Sequence, residues 1–126
     1  MTSEVAGTVN VISVAQQKAI AHIKLGKMDH PVGVALSPDE KRLYVATGRG
    51  NGVAIIDTAT NRILGTIPVG NRPWGIAITP DGRKLYAGNG LSNTVSVVDL
   101  ASNRVIATIP AGDGPWGVAI AKRSPE

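Results

Sequence analysis

The sequence predicts an all-β chain built from repeated four-stranded antiparallel sheets, and three observations predict it. Pro31, Pro73 and Pro115 stand 42 residues apart, as do Gly33, Gly75 and Gly117, and residues 31–72 align with 73–114 without a gap at 18 identities. Fifteen Gly and eight Pro are spread along the 126 residues, punctuating the chain with turns instead of long helices. No segment sustains an apolar stripe of about 3.6-residue period, whereas several short runs alternate apolar and polar residues. Four short strands in a unit of about 42 residues, repeated, is the pattern of a β-propeller blade.

The elements follow in chain order. Residues 8–26 (TVNVISVAQQKAIAHIKLG) match 52–70 and 94–112, so they read as the third and fourth strands of a split blade, to which residues 1–6 add at most a stub of the second. Two complete blades follow, at 31–70 and 73–112. In the second, PWGIAIT (73–79) is a small-apolar run suited to burial on both faces, and Pro80-Asp81-Gly82-Arg83 is its turn. KLYAGN (84–89) alternates. TVSVVD (94–99) places β-branched residues in a third strand, and RVIATIP (104–110), closed by Pro110, suits an outer edge. Residues 115–121 repeat the inner strand alone. The whole of 1–126 thus reads as one partial propeller domain.

Composition narrows the class. Apolar residues make up 43% and charged residues 17%, a globular balance. Cysteine is absent, which excludes disulfides, zinc–thiolate sites and a Cys nucleophile. With two Trp, two Tyr and no Phe, the core must be filled by Val, Ile, Leu and Ala. No stretch reaches the ~20 uncharged apolar residues of a membrane helix, so no membrane insertion is expected. The first residues lack a basic start and a continuous apolar block, so they read as no signal peptide; the protein is then cytoplasmic, or a leader lies beyond this sequence. The net charge of +4 comes mostly from repeat-locked turn residues such as Lys41, Arg42, Arg83 and Lys84, which keep sheet edges soluble without making a groove.

The pattern P-x-G-[IV]-A-[IL]-[ST]-P-D-x-[KR]-[KR]-L-Y-[VA], followed by segments such as DTATNRILGTIPVG (57–70) and SNTVSVVDLASNRVIATIPAG (92–112), resembles the YVTN family of β-propeller repeats over residues 8 to 121. The PWG start of the inner strand is most similar to the propellers that accompany quinoprotein (PQQ) dehydrogenases. The resemblance implies seven-bladed propellers, periplasmic or extracellular, with surface-layer proteins among the members. This chain departs from it by holding about three blades' worth of residues. Closing a ring takes at least about four blades. The chain is therefore expected either to be a piece of a longer propeller or to self-associate, a head-to-tail homodimer of about six blades being favoured.

In a propeller, the loops that join blades share one face with the loops between second and third strands, and ligands favour that channel mouth. It offers His30, Arg49, Arg72, Trp74, Asp113 and Trp116 as ligand-binding candidates. His30 has Arg72 and Gly114 as repeat equivalents, so it makes no ring of identical metal ligands; it reads as a polar loop residue. His22 reads as solvent-facing on an outer strand. Trp74 and Trp116 read foremost as plugs packing between blades, with Val32 in that place in the other unit; they are also the best surfaces for stacking on a flat ligand. Asp57, Asp99, Asp39 and Asp81 recur at turn positions, where a carboxylate accepts from turn amides. Gly48-Arg49-Gly50-Asn51-Gly52 reads as a turn, since no helix follows it to bind phosphate.

GxSxG, Walker A, GxGxxG and HExxH motifs are absent, and no catalytic residue, metal ligand set or cofactor is assigned. The leading expectation is a non-catalytic binding or interaction scaffold. Two alternatives stand beside it: a propeller enzyme, lactonase-like or a dehydrogenase subunit, with its site at the channel mouth; and a single-stranded nucleic-acid-binding propeller using Arg49, Arg72 and the two Trp.

Overall fold

A computed structural model describes residues 1–122. Eleven strands run in chain order: β1 (Thr2–Ser3), β2 (Thr8–Ser13), β3 (Lys18–Lys24), β4 (Val34–Leu36), β5 (Arg42–Ala46), β6 (Gly52–Asp57), β7 (Ile63–Pro68), β8 (Pro73–Ile78), β9 (Lys84–Asn89), β10 (Thr94–Asp99) and β11 (Arg104–Pro110). They form three antiparallel sheets, β1-β2-β3, β4-β5-β6-β7 and β8-β9-β10-β11. A short 310 turn at Gly48–Gly50 is the one helical element among the described residues, and none of their helices is long and apolar enough to cross a membrane.

The 42-residue period is repeated in the backbone. Each third strand slips register against its fourth at one equivalent place: Val11/Ile12, Ile55/Ile56 and Val97/Val98. A bulge of this kind bends the strand and strengthens its twist. The hairpin turns are equally regular, with Gln17, Asn61 and Asn103 all left-handed at φ of 52°, 57° and 54°. Asn bears this conformation more readily than a branched residue.

Alternation along the middle sheet divides its side chains between two neighbours. Tyr44, Ala46, Val53, Ile55 and Ile67 face the β8–β11 sheet and pack with Ile76, Leu85, Ala87 and Val98. Val45, Ala54 and Ile56 point the other way, onto Val9, Ile23 and Leu25 of the β1–β3 sheet. Ile56 and Leu85 are fully buried, and a side chain of that size is worth about 1.5–3 kcal/mol of transfer free energy. The fourth strands β3, β7 and β11 lie outermost and are largely exposed.

One expectation needs correction. Residues 115–121, read as an inner strand, carry no strand ladder. They lie against β8, since a Cβ on Gly75 would meet the Trp116 carbonyl oxygen at 2.5 Å and the Gly117 Cα at 2.6 Å. In the complete blades the inner strands β4 and β8 pair with β5 and β9. Among the described residues no segment pairs with 115–121 in that way. Conversely, β1 stands at a second-strand position: Thr2 opposite Val9 and Ser3 opposite Thr8 repeat Gly88 opposite Val95 and Asn89 opposite Thr94.

Candidate functional site

The site grows from the residues that start each inner strand. Asn51 and Asn93, 42 residues apart and both left-handed at φ 55°, sit in the loops between second and third strands. The Asn51 Oδ1 accepts from the Arg72 backbone N–H at 2.8 Å, and the Asn93 Oδ1 from the Gly114 N–H at 2.9 Å. The Asn71 N–H donates to Ser92 Oγ at 2.7 Å. These bonds fix the points at which the chain passes from one blade to the next, and with them the entry of Arg72–Trp74 and Gly114–Trp116.

From there Arg72 lies over its neighbour's indole, with Cζ 5.5 Å from the Trp74 ring centroid. The Trp74 and Trp116 rings meet edge to face at 4.5 Å and 60°. Trp74 also covers Gly90, where a Cβ would lie 2.9 Å from its Cε3, and Val32 covers Gly48 in the corresponding way in the preceding blade. Trp74 and Val32 thus each pack on a glycine of their own blade, and Trp74 meets the next unit through Trp116. Trp116 is different: it is 72% exposed. Together Glu4, Val32, Gly33, Arg72, Trp74, Gly75 and Trp116 line a cavity of about 430 Å3.

The Arg72 Nε is buried and has no hydrogen-bond partner. Arg42 and Asp57, at 3.8 Å, form the one ion pair within 4.0 Å among the described residues, so no carboxylate neutralises Arg72. A guanidinium on an aromatic face without an ion-pair partner is a ready contact for an anion.

The structure thus unites Arg72, Trp74 and Trp116 and leaves the other candidates outside the cavity. Arg49 is exposed in the 310 turn, and Asp113 is exposed in the blade-to-blade loop. His30 is half-buried; its backbone N–H donates to the Thr47 carbonyl at 2.8 Å. His22 is exposed, with Nδ1 2.6 Å from Asn10 Oδ1. Among the described residues no group of three or more His, Cys, Asp or Glu is placed to hold a metal ion. The recurring aspartates act in turns. Asp39 and Asp81 each accept from a hydroxyl, of Ser37 and Thr79, and from a backbone N–H, of Lys41 and Arg83. The hydroxyl bonds first, then the amides, hold both carboxyls below the usual range. Glu4, which lines the cavity from about 70 residues away, carried no signal in the sequence.

Stacked four-stranded blades with a mouth at the inner-strand starts define this chain as a β-propeller protein. It belongs to the family of cytochrome D1 heme domains, which matches residues 1–119. Among solved structures, it is similar to hydrazine synthase of Kuenenia stuttgartiensis at 35% identity and a TM-score of 0.70, over 73% of this chain and 26% of that one. It is also similar in fold to a complex of the dihydro-heme d1 dehydrogenase NirN, at 23% identity and a TM-score of 0.71, over 91% of this chain and 25% of that one. The chain therefore spans about a quarter of the length of either. Comparison with curated protein sequences returns no match.

The family name implies a heme, and the donor set of the cavity tests it. Heme iron takes its axial ligand from His, Cys, Met or Tyr. None of these lines the cavity; the nearest imidazole along the chain, His30, stands outside it. The cavity offers a flat aromatic face and the Arg72 guanidinium, with the Glu4 carboxylate elsewhere in its lining, and it does not fit iron ligation.

Proposed function

We propose that this chain is a non-catalytic binding scaffold, a segment of a D1-type propeller whose channel mouth holds a flat, negatively charged ligand. Trp74 and Trp116 supply the aromatic surface and Arg72 the anion contact. The observation that carries this reading is the Arg72 guanidinium, held over the Trp74 ring and outside any ion pair among the described residues, at a cavity of about 430 Å3. A hydrogen bond from such a charged group to a carboxylate is worth about 1.5–3 kcal/mol. The volume lies within the range of about 300–1,000 Å3 typical of small-molecule sites. The repeat's likeness to YVTN propellers supports a periplasmic or extracellular setting. The enzyme reading draws on the two similar structures; among the described residues no group of three or more His, Cys, Asp or Glu is placed to hold a metal ion for it.

Trp74 and Trp116 are the chain's only tryptophans, so intrinsic fluorescence reports on this site directly. Titration with metal-free protoporphyrin, a flat dicarboxylate, is expected to quench that fluorescence saturably, and Arg72→Gln to weaken the binding at least several-fold. Equal affinity in the variant, or no saturable quenching, would sink the proposal. Quenching by oligothymidine that falls steeply with salt would favour the nucleic-acid reading instead.

A further inference from the structure

Gly65 lies inside β7, where a glycine weakens a strand. Neither its conformation nor its packing calls for one: its φ is not positive, and a Cβ built on it meets nothing within 4 Å. The neighbouring bulge does not require it either, since the same bulges of β3 and β11 carry Ala21 and Ala107 at this repeat position. The bare backbone opens instead onto a cavity of about 480 Å3 between the two complete blades, at the end of the strands away from the mouth. All of its lining falls between residues 39 and 103, so the cavity depends on neither end of the sequence.

Three further features face the same space. Tyr44 lines it while only 6% exposed, and its hydroxyl has no hydrogen-bond partner among the described residues. Burial pushes the phenol above its ordinary value near 10, against the opposing charge of Arg42, so it keeps its proton and can donate. At the rim, Lys41 forms no ion pair within 4.0 Å among the described residues, and Arg42 has Asp57 at 3.8 Å, too long for a hydrogen bond. Asp39 also lines the cavity, with its Oδ1 held by the Ser37 hydroxyl and the Lys41 amide, so two cations stand against one carboxylate. Opposite this polar edge is an aliphatic wall of Leu64 and Leu100. Leu64, the extra residue of the β7 bulge, is 52% exposed.

We infer that this cleft between blades binds a small organic monocarboxylate with an apolar body, of about the size of benzoate. Its carboxylate meets Lys41, Arg42 and the Tyr44 hydroxyl, and its body lies over Gly65 against Leu64 and Leu100. The volume is that of a small-molecule site. A single acidic group fits best, because beyond Arg42 and Tyr44 the cleft continues into a second cavity where Asp39, Asp81 and Asp99 outnumber Arg42 and Arg83. The inference does not rest on the ligand reading of the mouth, with which the cleft shares no residue.

Titrating para-fluorobenzoate with the full chain, followed by the fluorine resonance, is expected to saturate with a Kd of about 1 mM or tighter. Tyr44→Phe keeps the ring, removes the hydroxyl and should weaken binding about ten-fold. Gly65→Leu fills the cleft from a position with room for the side chain, and should abolish binding with the strand signal in circular dichroism unchanged. Gly112→Leu, equally open but outside the cleft, should bind like the parent. No saturation up to about 10 mM, equal affinity in Tyr44→Phe, or equal loss in Gly112→Leu would each overturn the inference. Binding that survives Gly65→Leu would place the probe elsewhere, the mouth included, and would overturn it too.

Discussion

Asn51 reaches across the blade boundary to Arg72: its Oδ1 accepts the Arg72 backbone N–H at 2.8 Å, while its own backbone is left-handed at φ 55°. Asn93 and Gly114 repeat the relationship one blade on, at 2.9 Å. One side chain thus supplies a conformation and a hydrogen bond, and these separate by mutation. Asn51→Gly keeps the conformation and loses the bond, at an expected cost of about 1 kcal/mol. Asn51→Ala loses both, at about 2 kcal/mol, because Ala lacks the short polar side chain whose local hydrogen bonding lets Asn bear the left-handed region. Urea denaturation of the two variants should rank them in that order. Since the bond aims Arg72, both should also bind protoporphyrin less tightly.

Gly75 and Gly65 are both glycines in strands, yet their environments are opposite. A Cβ on Gly75 would press on the backbone of Trp116 and Gly117, and backbone cannot swing aside. Gly75→Ala is expected to cost at least about 1–3 kcal/mol by overpacking. Gly65 meets nothing within 4 Å, so Gly65→Ala should be neutral or stabilising by roughly 0.5 kcal/mol through reduced chain entropy. Thermal melts of the two variants check the contrast.

The turn aspartates predict how stability depends on pH. Asp39, Asp81 and Asp99 have folded pKa values below 3.8, caused first by hydroxyl hydrogen bonds from Ser37, Thr79 and Ser102, and then by backbone amides. A lowered folded pKa favours the folded state while the carboxylate is ionised. That contribution is full above the unfolded value near 3.8 and is lost as pH falls through the folded values. Acid titration of stability should steepen below about pH 4. The slope should flatten in Asp81→Asn and flatten further in Asp39→Asn/Asp81→Asn.

The two tryptophans should separate by exposure. Trp116 is 72% exposed, so Trp116→Ala is expected to change stability by less than about 0.5 kcal/mol while weakening ligand binding. Trp74 covers Gly90 and carries Arg72, so Trp74→Ala should cost more, about 1–3 kcal/mol, and release the guanidinium. Denaturation and fluorescence titration of the pair would show whether packing and binding divide between the rings in this way.

Much of the fold was legible because its signals are local. The turn at Pro80–Arg83, the alternation in KLYAGN and the β-branched TVSVVD each depend on neighbours in sequence, and the 42-residue period showed that a sheet recurs. The role of Asn51 was not legible in the same way. An Asn in a Gly-rich loop signals a turn, but its acceptor's partner lies 21 residues away. Residues 115–121 misled for the opposite reason. Their local pattern is that of β8, yet a strand also requires a partner at ladder distance.

By itself the sequence determined that this protein is built of propeller blades, where each blade starts and turns, and which residues crowd the inner strands. Periodicity and turn chemistry are properties of short stretches, and they survive without knowledge of what packs against them. Only the tertiary structure decided which mouth residues share a cavity. It gathered Arg72, Trp74 and Trp116 around one cavity with Glu4 and left His30, Arg49 and Asp113 outside. That choice rests on how blades stack, which is set by contacts between residues far apart in the chain.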